Sequence, residues 1–150
     1  MLTVFPPAVF VQETGTRKGR GVYASRSYQP GEVVEISPVL LIDSRHFDLP
    51  KELTKYVFSW HGLTGGESRQ ALAFGYGCLY NHANPANMRY WGDIEKNCIH
   101  FVAERAIGIG EELPINYSGL AGAACSEREI WFDAHEVPVY VDEAVAGSKV

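Results

Sequence analysis

The apolar residues of this chain come in short β-branched runs of four to six residues, and glycine or proline cuts in after nearly every one. Punctuation of this kind favours an irregular, mostly β domain of small antiparallel pieces over a parallel α/β sheet. Strands are expected at residues 9–12, 21–25, 32–37, 39–42, 88–91, 97–102, 112–117 and 137–141. Pro38 splits two of these runs and predicts a kinked or edge strand. Pro30-Gly31 marks a turn, and Gly92-Asp93 between two runs predicts the reversal of a hairpin. One helix is expected. Pro50-Lys51-Glu52-Leu53 opens it, Leu53, Val57 and Trp60 recur at helical spacing, and Gly62 ends it. Residues 119–124 read as a small-residue loop, followed by a Glu-rich helical turn and a frayed end. The chain shows no internal repeat and no low-complexity tract.

At 150 residues, with 46% apolar types and a net charge of −5, a single domain spanning 1–150 is expected. No apolar run approaches the ~18 residues of a membrane span. The first residues carry no basic segment, and Pro6-Pro7 interrupts their apolar run, so no signal peptide is expected. The expected location is cytoplasmic, with signal-independent export or action in a host nucleus left open. The acidic balance argues against nucleic acid as a direct partner and suits a cationic one. Cys78, Cys98 and Cys125 form no CxxC pair, so neither a disulfide framework nor a zinc ribbon is indicated. All three read as free, buried thiols. No metal site is expected, and His46, His61, His100 and His135 receive no role.

Three segments carry chemistry only when taken together. Residues 18–24, KGRGVYA, are alone a glycine-rich turn between strands, although such glycines let a ligand approach the amides and Lys18 and Arg20 could hold a carboxylate. Residues 81–87, NHANPAN, are alone a tight Asn-rich turn. Residues 110–117, GEELPINY, are alone a turn leading into a strand. In this order, with YQPGEVVE at 28–35 after the first, they closely resemble the signature set of the SET-domain protein-lysine methyltransferases. The resemblance covers residues 9–117 directly, leaving 118–150 as a C-terminal closing segment.

The resemblance implies a SET-domain fold: several small β-sheets around a knot-like C-terminal threading, with a short helical insert. Such threading is rare, and it brings the second motif beside the tyrosine segment. It also implies transfer of a methyl group from S-adenosylmethionine to the ε-amine of a protein lysine. A free lysine is neutral about once in a few thousand molecules at neutral pH, so the site must favour loss of a proton. The cationic sulfonium and an apolar channel both lower the amine's pKa.

Carried over by position, Tyr117 is the catalytic tyrosine, orienting the amine rather than acting as a base. Lys18 and Arg20, with the amides of Gly19, Gly21 and Val22, match the contacts to the cofactor's methionine end and ribose. Asn81 matches the side chain holding its amino-acid end, and His82 a position whose backbone meets adenine. Trp131 corresponds to an aromatic covering adenine, with a core role as the competing reading. Tyr90 matches a lysine-channel tyrosine, against a cross-strand packing role. Ile115 and Ile36 occupy channel positions where family members often have an aromatic, Phe or Tyr at the first and Tyr at the second. Pro85 and Ala83 depart from the usual middle motif, while Asn81 and Asn87 keep their spacing.

The family's zinc-binding cysteine clusters are absent from the sequence, so channel closure is assigned to the C-terminal segment or to the second subunit of a homodimer. The expected partner is a lysine-containing protein or peptide of basic character, with no membrane contact. The alternatives are a catalytically weak SET-like module that holds a peptide, favoured had Tyr117 been replaced, and methylation of a non-protein amine.

Overall fold

The computed structural model describes residues 1–118. The expected elements at 119–124 and 137–141, the closing segment, Cys125 and Trp131 lie outside the described residues. Two antiparallel sheets form. Strands β1 (Val9–Glu13) and β2 (Arg20–Ala24) pair in one. Strands β3 (Val33–Ile42), β4 (Val57–Ser59), β5 (Gln70–Ala73), β6 (Met88–Asp93) and β7 (Cys98–Ala103) build the other in the order β4-β5-β3-β7-β6.

Pro38 does not end a strand. β3 runs through it at the centre of the sheet, pairing with β7 over residues 33–38 and with β5 over 39–42. The proline falls where the strand passes from one neighbour to the other: it is the last residue paired with β7, and on its other side its carbonyl accepts from Phe74 N–H. The helix is also displaced. Residues 51–56 are turns, and Val57 and Phe58 enter β4 instead, because strand pairing with β5 suits β-branched and aromatic side chains better than a helix does. Helix α1 is Trp60–Thr64, capped by the Ser59 hydroxyl accepting from Gly62 N–H and closed by Gly65 at φ 70°.

The β6–β7 hairpin forms as expected, but its reversal lies at residues 94–97, with Asn97 at φ 49°. Gly92 is needed for another reason. A Cβ there would lie 2.5 Å from Thr64 Cγ2 and 3.1 Å from Trp60 Cζ3, so α1 packs directly on the strand.

Residues 112–117 form no strand, only isolated bridges at Tyr23↔Glu112 and His82↔Ile115. Leu113 N–H donates to Val22 O at 2.8 Å, Pro114 has no N–H, and Ile115 N–H donates to Asn81 O at 2.9 Å. The segment changes partner at the proline. It thereby lies between β2 and residues 81–83, which sets the second and third motifs side by side. Val22, Tyr80, Phe101, Leu113 and Ile115 form part of the buried centre, to which the first and third motifs contribute directly and Tyr80, just before the second, also adds.

One regularity was not expected. Residues 24–32 (ASRSYQPGE) and 103–111 (AERAIGIGE) share Ala, Arg, Gly and Glu at matching places and fold alike. In each, the arginine faces the glutamate, Arg26 to Glu32 at 3.4 Å and Arg105 to Glu111 at 3.5 Å. The two turns bind one another: Tyr28 and Ile107 exchange backbone bonds, Gly31 N–H donates to Ala103 O, and Gly110 N–H donates to Ala24 O. A short structural repeat therefore exists where none was expected.

Candidate active site

Glu112 joins the three motifs. Its carboxylate lies 3.8 Å from Lys18 Nζ and accepts from Asn81 Nδ2 at 2.7 Å, while its backbone carbonyl accepts from Asn87 Nδ2 at 2.8 Å. Asn81 Nδ2 also donates to Arg20 O at 3.0 Å. Gly21 sits against this knot of polar groups. A Cβ there would fall 2.7 Å from Glu112 Oε1 and 3.1 Å from Asn81 Nδ2. The Lys18 side chain is only 6% exposed and that of Glu112 19%. Burying two charges this far is weak as a source of stability.

The loop before β2 is held by Thr14 N–H and Thr14 Oγ1, both donating to Gly19 O. Gly19 has φ 70°, and no atom lies within 4 Å of the place its Cβ would take. The backbone is therefore open to a ligand at Gly19 and closed at Gly21. Arg20 is exposed on β2, whereas the Val22 side chain is buried in the core.

Tyr117 is held at both ends. Its N–H donates to His82 Nδ1 at 3.0 Å, and its hydroxyl donates to Tyr80 O at 2.7 Å. The His82 ring is buried with its centroid 5.2 Å from that of Tyr117. Nδ1 must be unprotonated to accept, so the second ring nitrogen carries the proton. Burial, reinforced by Tyr90 and Glu112 nearby, pushes the Tyr117 phenol well above its ordinary pKa. It is neutral at physiological pH and cannot serve as a base. With its proton committed to Tyr80, its oxygen can act toward any other group only as an acceptor.

An aromatic wall stands beside it. Tyr90 and Phe101 face each other across β6 and β7 with centroids 5.9 Å apart, Phe58 meets both edge-on, and Tyr80 packs on Phe101 at 4.8 Å. Tyr90 thus has the packing role and also a polar one, since its hydroxyl donates to Asn116 O at 2.8 Å. Under this wall lies Glu35, which accepts from Tyr80 OH at 2.8 Å and Tyr76 N–H at 2.9 Å. Desolvation raises its pKa, and the bonds from Tyr76, Tyr80 and Ser37 offset part of the rise.

Ile36 is not brought to the site. It pairs with His100, which pairs with Trp91, whereas Glu35 pairs with Phe101 and Phe101 with Tyr90. The pleat therefore sends Ile36 to the opposite face from the aromatic wall. Ile115 is fully buried in the core, two residues from Tyr117.

Three contributors escape a reading of the sequence. Glu112 is indistinguishable there from Glu111, which caps a surface turn by accepting from Gly108 N–H. The His82 imidazole, not just its backbone, holds Tyr117. Glu35 looks like one more residue of a strand. A polar residue in an otherwise apolar β-branched run was the available signal for Glu35; nothing marked the other two.

The SET-domain family profile matches residues 19–118, and the chain belongs to that family. Over 137 residues it is 30% identical to the histone-lysine N-methyltransferase, H3 lysine-37 specific, of Schizosaccharomyces pombe, covering 89% of this chain and 78% of that protein. The chain is a protein-lysine methyltransferase, an enzyme that moves a methyl group to lysine in a protein substrate. SET-domain methyltransferases are generally dependent on S-adenosylmethionine. Among solved structures, a Plasmodium falciparum protein described as a histone methyltransferase candidate has the same fold at TM-score 0.60 and 22% identity, covering 75% of this chain and 95% of that one. A chain of an active polycomb repressive complex 2 matches at TM-score 0.61 and 24% identity, over 75% of this chain and 15% of that one.

Proposed function

We propose that this enzyme draws its methyl group from S-adenosylmethionine and delivers it to lysine in a basic, histone-like segment, with Tyr117 orienting the amine. The observation that carries the reading is the Tyr117 hydroxyl, fixed as a donor to Tyr80 O next to an aromatic wall.

The donor set fits the cofactor. Its amino-acid end is a zwitterion, and Lys18 and Glu112 offer one cation and one anion 3.8 Å apart, with the Asn81 amide between motifs. Lys18 would hold the carboxylate, Glu112 and Asn81 the ammonium, and the open backbone at Gly19 would admit the ligand. When bound, the cofactor supplies an electrophilic methyl on a cationic sulfur.

The chain's own part is to present a neutral amine in line. Phe58, Tyr80, Tyr90 and Phe101 exclude water, which disfavours the ammonium form of an incoming lysine. Tyr117 then accepts one N–H of the amine and fixes the direction of its lone pair, an effect of position rather than of proton transfer. A chain with net charge −5 attracts basic segments, as in the histone substrate named for the Schizosaccharomyces pombe relative.

The test is transfer of radiolabelled methyl from S-adenosylmethionine to purified histones and to a cell lysate. Label in a discrete band, lost in Tyr117→Phe, is the expected result. Absence of cofactor binding by calorimetry, in protein with an intact fold, would overturn the cofactor assignment. Labelled lysate bands with unlabelled histones would overturn the histone-like substrate alone.

A further inference from the structure

The far end of the β6–β7 hairpin gathers a second set of chemical groups. Asp93 and Cys98 face each other where the hairpin closes, and His100 follows two residues along β7. Register and pleat put all three side chains on one face, the face that also carries Trp91 and Ile36 and lies opposite the aromatic wall. Their donor atoms lie within 4.8 Å of one another.

The distances decide what such a trio can do. Cys98 Sγ and Asp93 Oδ2 each lie 3.5 Å from the same atom, His100 Nε2. A nucleophilic relay needs the thiol on one ring nitrogen and the carboxylate on the other, so this is not one. Convergence on a common centre is the alternative. Metal–ligand bonds of about 2.0–2.3 Å at tetrahedral angles place donor atoms about 3.3–3.8 Å apart. Both observed separations fall in that range.

The surroundings hold the three in place. The Trp91 indole lies flat on the His100 ring, centroids 5.1 Å apart and planes 2° apart. Lys96 N–H donates to Asp93 Oδ1 at 3.1 Å, which leaves Oδ2 facing the centre. Cys98 is fully buried, while the side chains of His100 and Asp93 are 14% and 23% exposed. A thiolate would bind from below, and a fourth position would face water. The Lys96 ammonium, 3.8 Å from Asp93 Oδ2 on a half-exposed side chain, already puts a cation beside the carboxylate and is free to swing outward.

We propose that Asp93, Cys98 and His100 form a binding site for a divalent transition-metal ion of the zinc class, clasping the hairpin that carries Tyr90. One thiolate, one imidazole and one carboxylate suit zinc or cobalt and exclude the all-oxygen preference of magnesium and calcium. Binding replaces the Cys98 thiol proton, which leaves to solvent. The site is separate from the methyl-transfer site and does not depend on the cofactor.

Cobalt(II) titrated into the reduced, chelator-treated full chain tests this. The expected result is saturation at one equivalent, with a near-ultraviolet thiolate-to-cobalt band and the visible bands of a tetrahedral ion. Cys98→Ser is expected to abolish the near-ultraviolet band. Asp93→Asn and His100→Ala, both at the rim, are expected each to weaken binding by at least about 10-fold. No thiolate band in natively folded wild-type protein would overturn the proposal. So would a band that survives Cys98→Ser, which would point to Cys78 or Cys125, or full-strength binding in both rim variants.

Discussion

The backbone N–H of Tyr117 donates to His82 Nδ1 at 3.0 Å, so a side chain of the middle motif fixes the main chain of the last one. This is a direct route by which the second motif controls the tyrosine. It also makes the imidazole an acceptor that nothing apolar can replace.

Removing that acceptor separates positioning from binding. His82→Ala leaves the Tyr117 N–H buried without its partner, at a cost of about 1–3 kcal/mol in stability. Methyl transfer is expected to slow by about 10²-fold through misplacement of the phenol. Cofactor affinity, measured by calorimetry, should change little. His82→Asn keeps an acceptor oxygen near the Nδ1 position and should recover much of the rate. Equal rates for the two variants would show that the imidazole does not position Tyr117.

Tyr117→Phe loses only the hydroxyl and its bond to Tyr80 O. A stability loss of about 1 kcal/mol is expected from one hydrogen bond. Single-turnover transfer should fall by at least about 10²-fold with cofactor binding retained, the result expected when a group acts by orientation. Because the phenol is held neutral by burial, the pH dependence of the wild-type rate should show no ionisation of Tyr117 near neutrality.

Gly21→Ala tests the close approach at the first motif. The new methyl meets the end of the Glu112 side chain at 2.7 Å and Thr14 Cγ2 at 2.9 Å. These are movable atoms, so the fold should survive with a loss of about 1–3 kcal/mol. Displacing Glu112 disturbs its contacts to both Lys18 and Asn81. Calorimetry should therefore find S-adenosylmethionine binding weakened by at least about 10-fold, a loss larger than the stability change alone explains.

Glu35→Gln probes the buried carboxyl under the aromatic wall. Burial raises the Glu35 pKa in the folded state, so the folded protein holds that proton to a higher pH than the unfolded chain does. Its contribution to stability is complete below the ordinary carboxyl pKa and is lost as pH rises through the raised one. Thermal melts of wild type and Glu35→Gln should show the variant gaining relative to wild type across that window, then holding a constant offset above it. A difference independent of pH would mean that the carboxyl is not shifted.

The sequence exposes this protein where side-chain identity and order carry the information. Lys18, Gly21, Asn81 and Tyr117 stand in three ordered motifs, and their convergence follows once the fold is known. It hides what pairing decides. Val57 and Trp60 have helical spacing, yet β5 draws Val57 into a strand and Ser59 becomes the cap. Glu35 and Ile36 are neighbours in a run of similar residues, and only the register against β7 tells which faces the aromatic wall. Asp93, Cys98 and His100 look scattered until the reversal is placed at 94–97 rather than at Gly92-Asp93. Pro38 is read from sequence as a kink or a mark of an edge strand and Pro114 falls inside an expected strand, and both instead mark places where a segment exchanges one partner for another.

The paired turns at 24–32 and 103–111 bear on how the protein can be made. Ala24 and Gly31 are bonded by Gly110 and Ala103, and the whole five-stranded sheet is synthesised between them. A nascent chain therefore carries β2 with one edge unsealed until Leu113 has left the ribosome. Contacts this distant in sequence form late and slowly. Tyr117, the tyrosine proposed to orient the amine, emerges only a few residues later, so the sealing of β2 and the placing of that phenol are nearly one event in time.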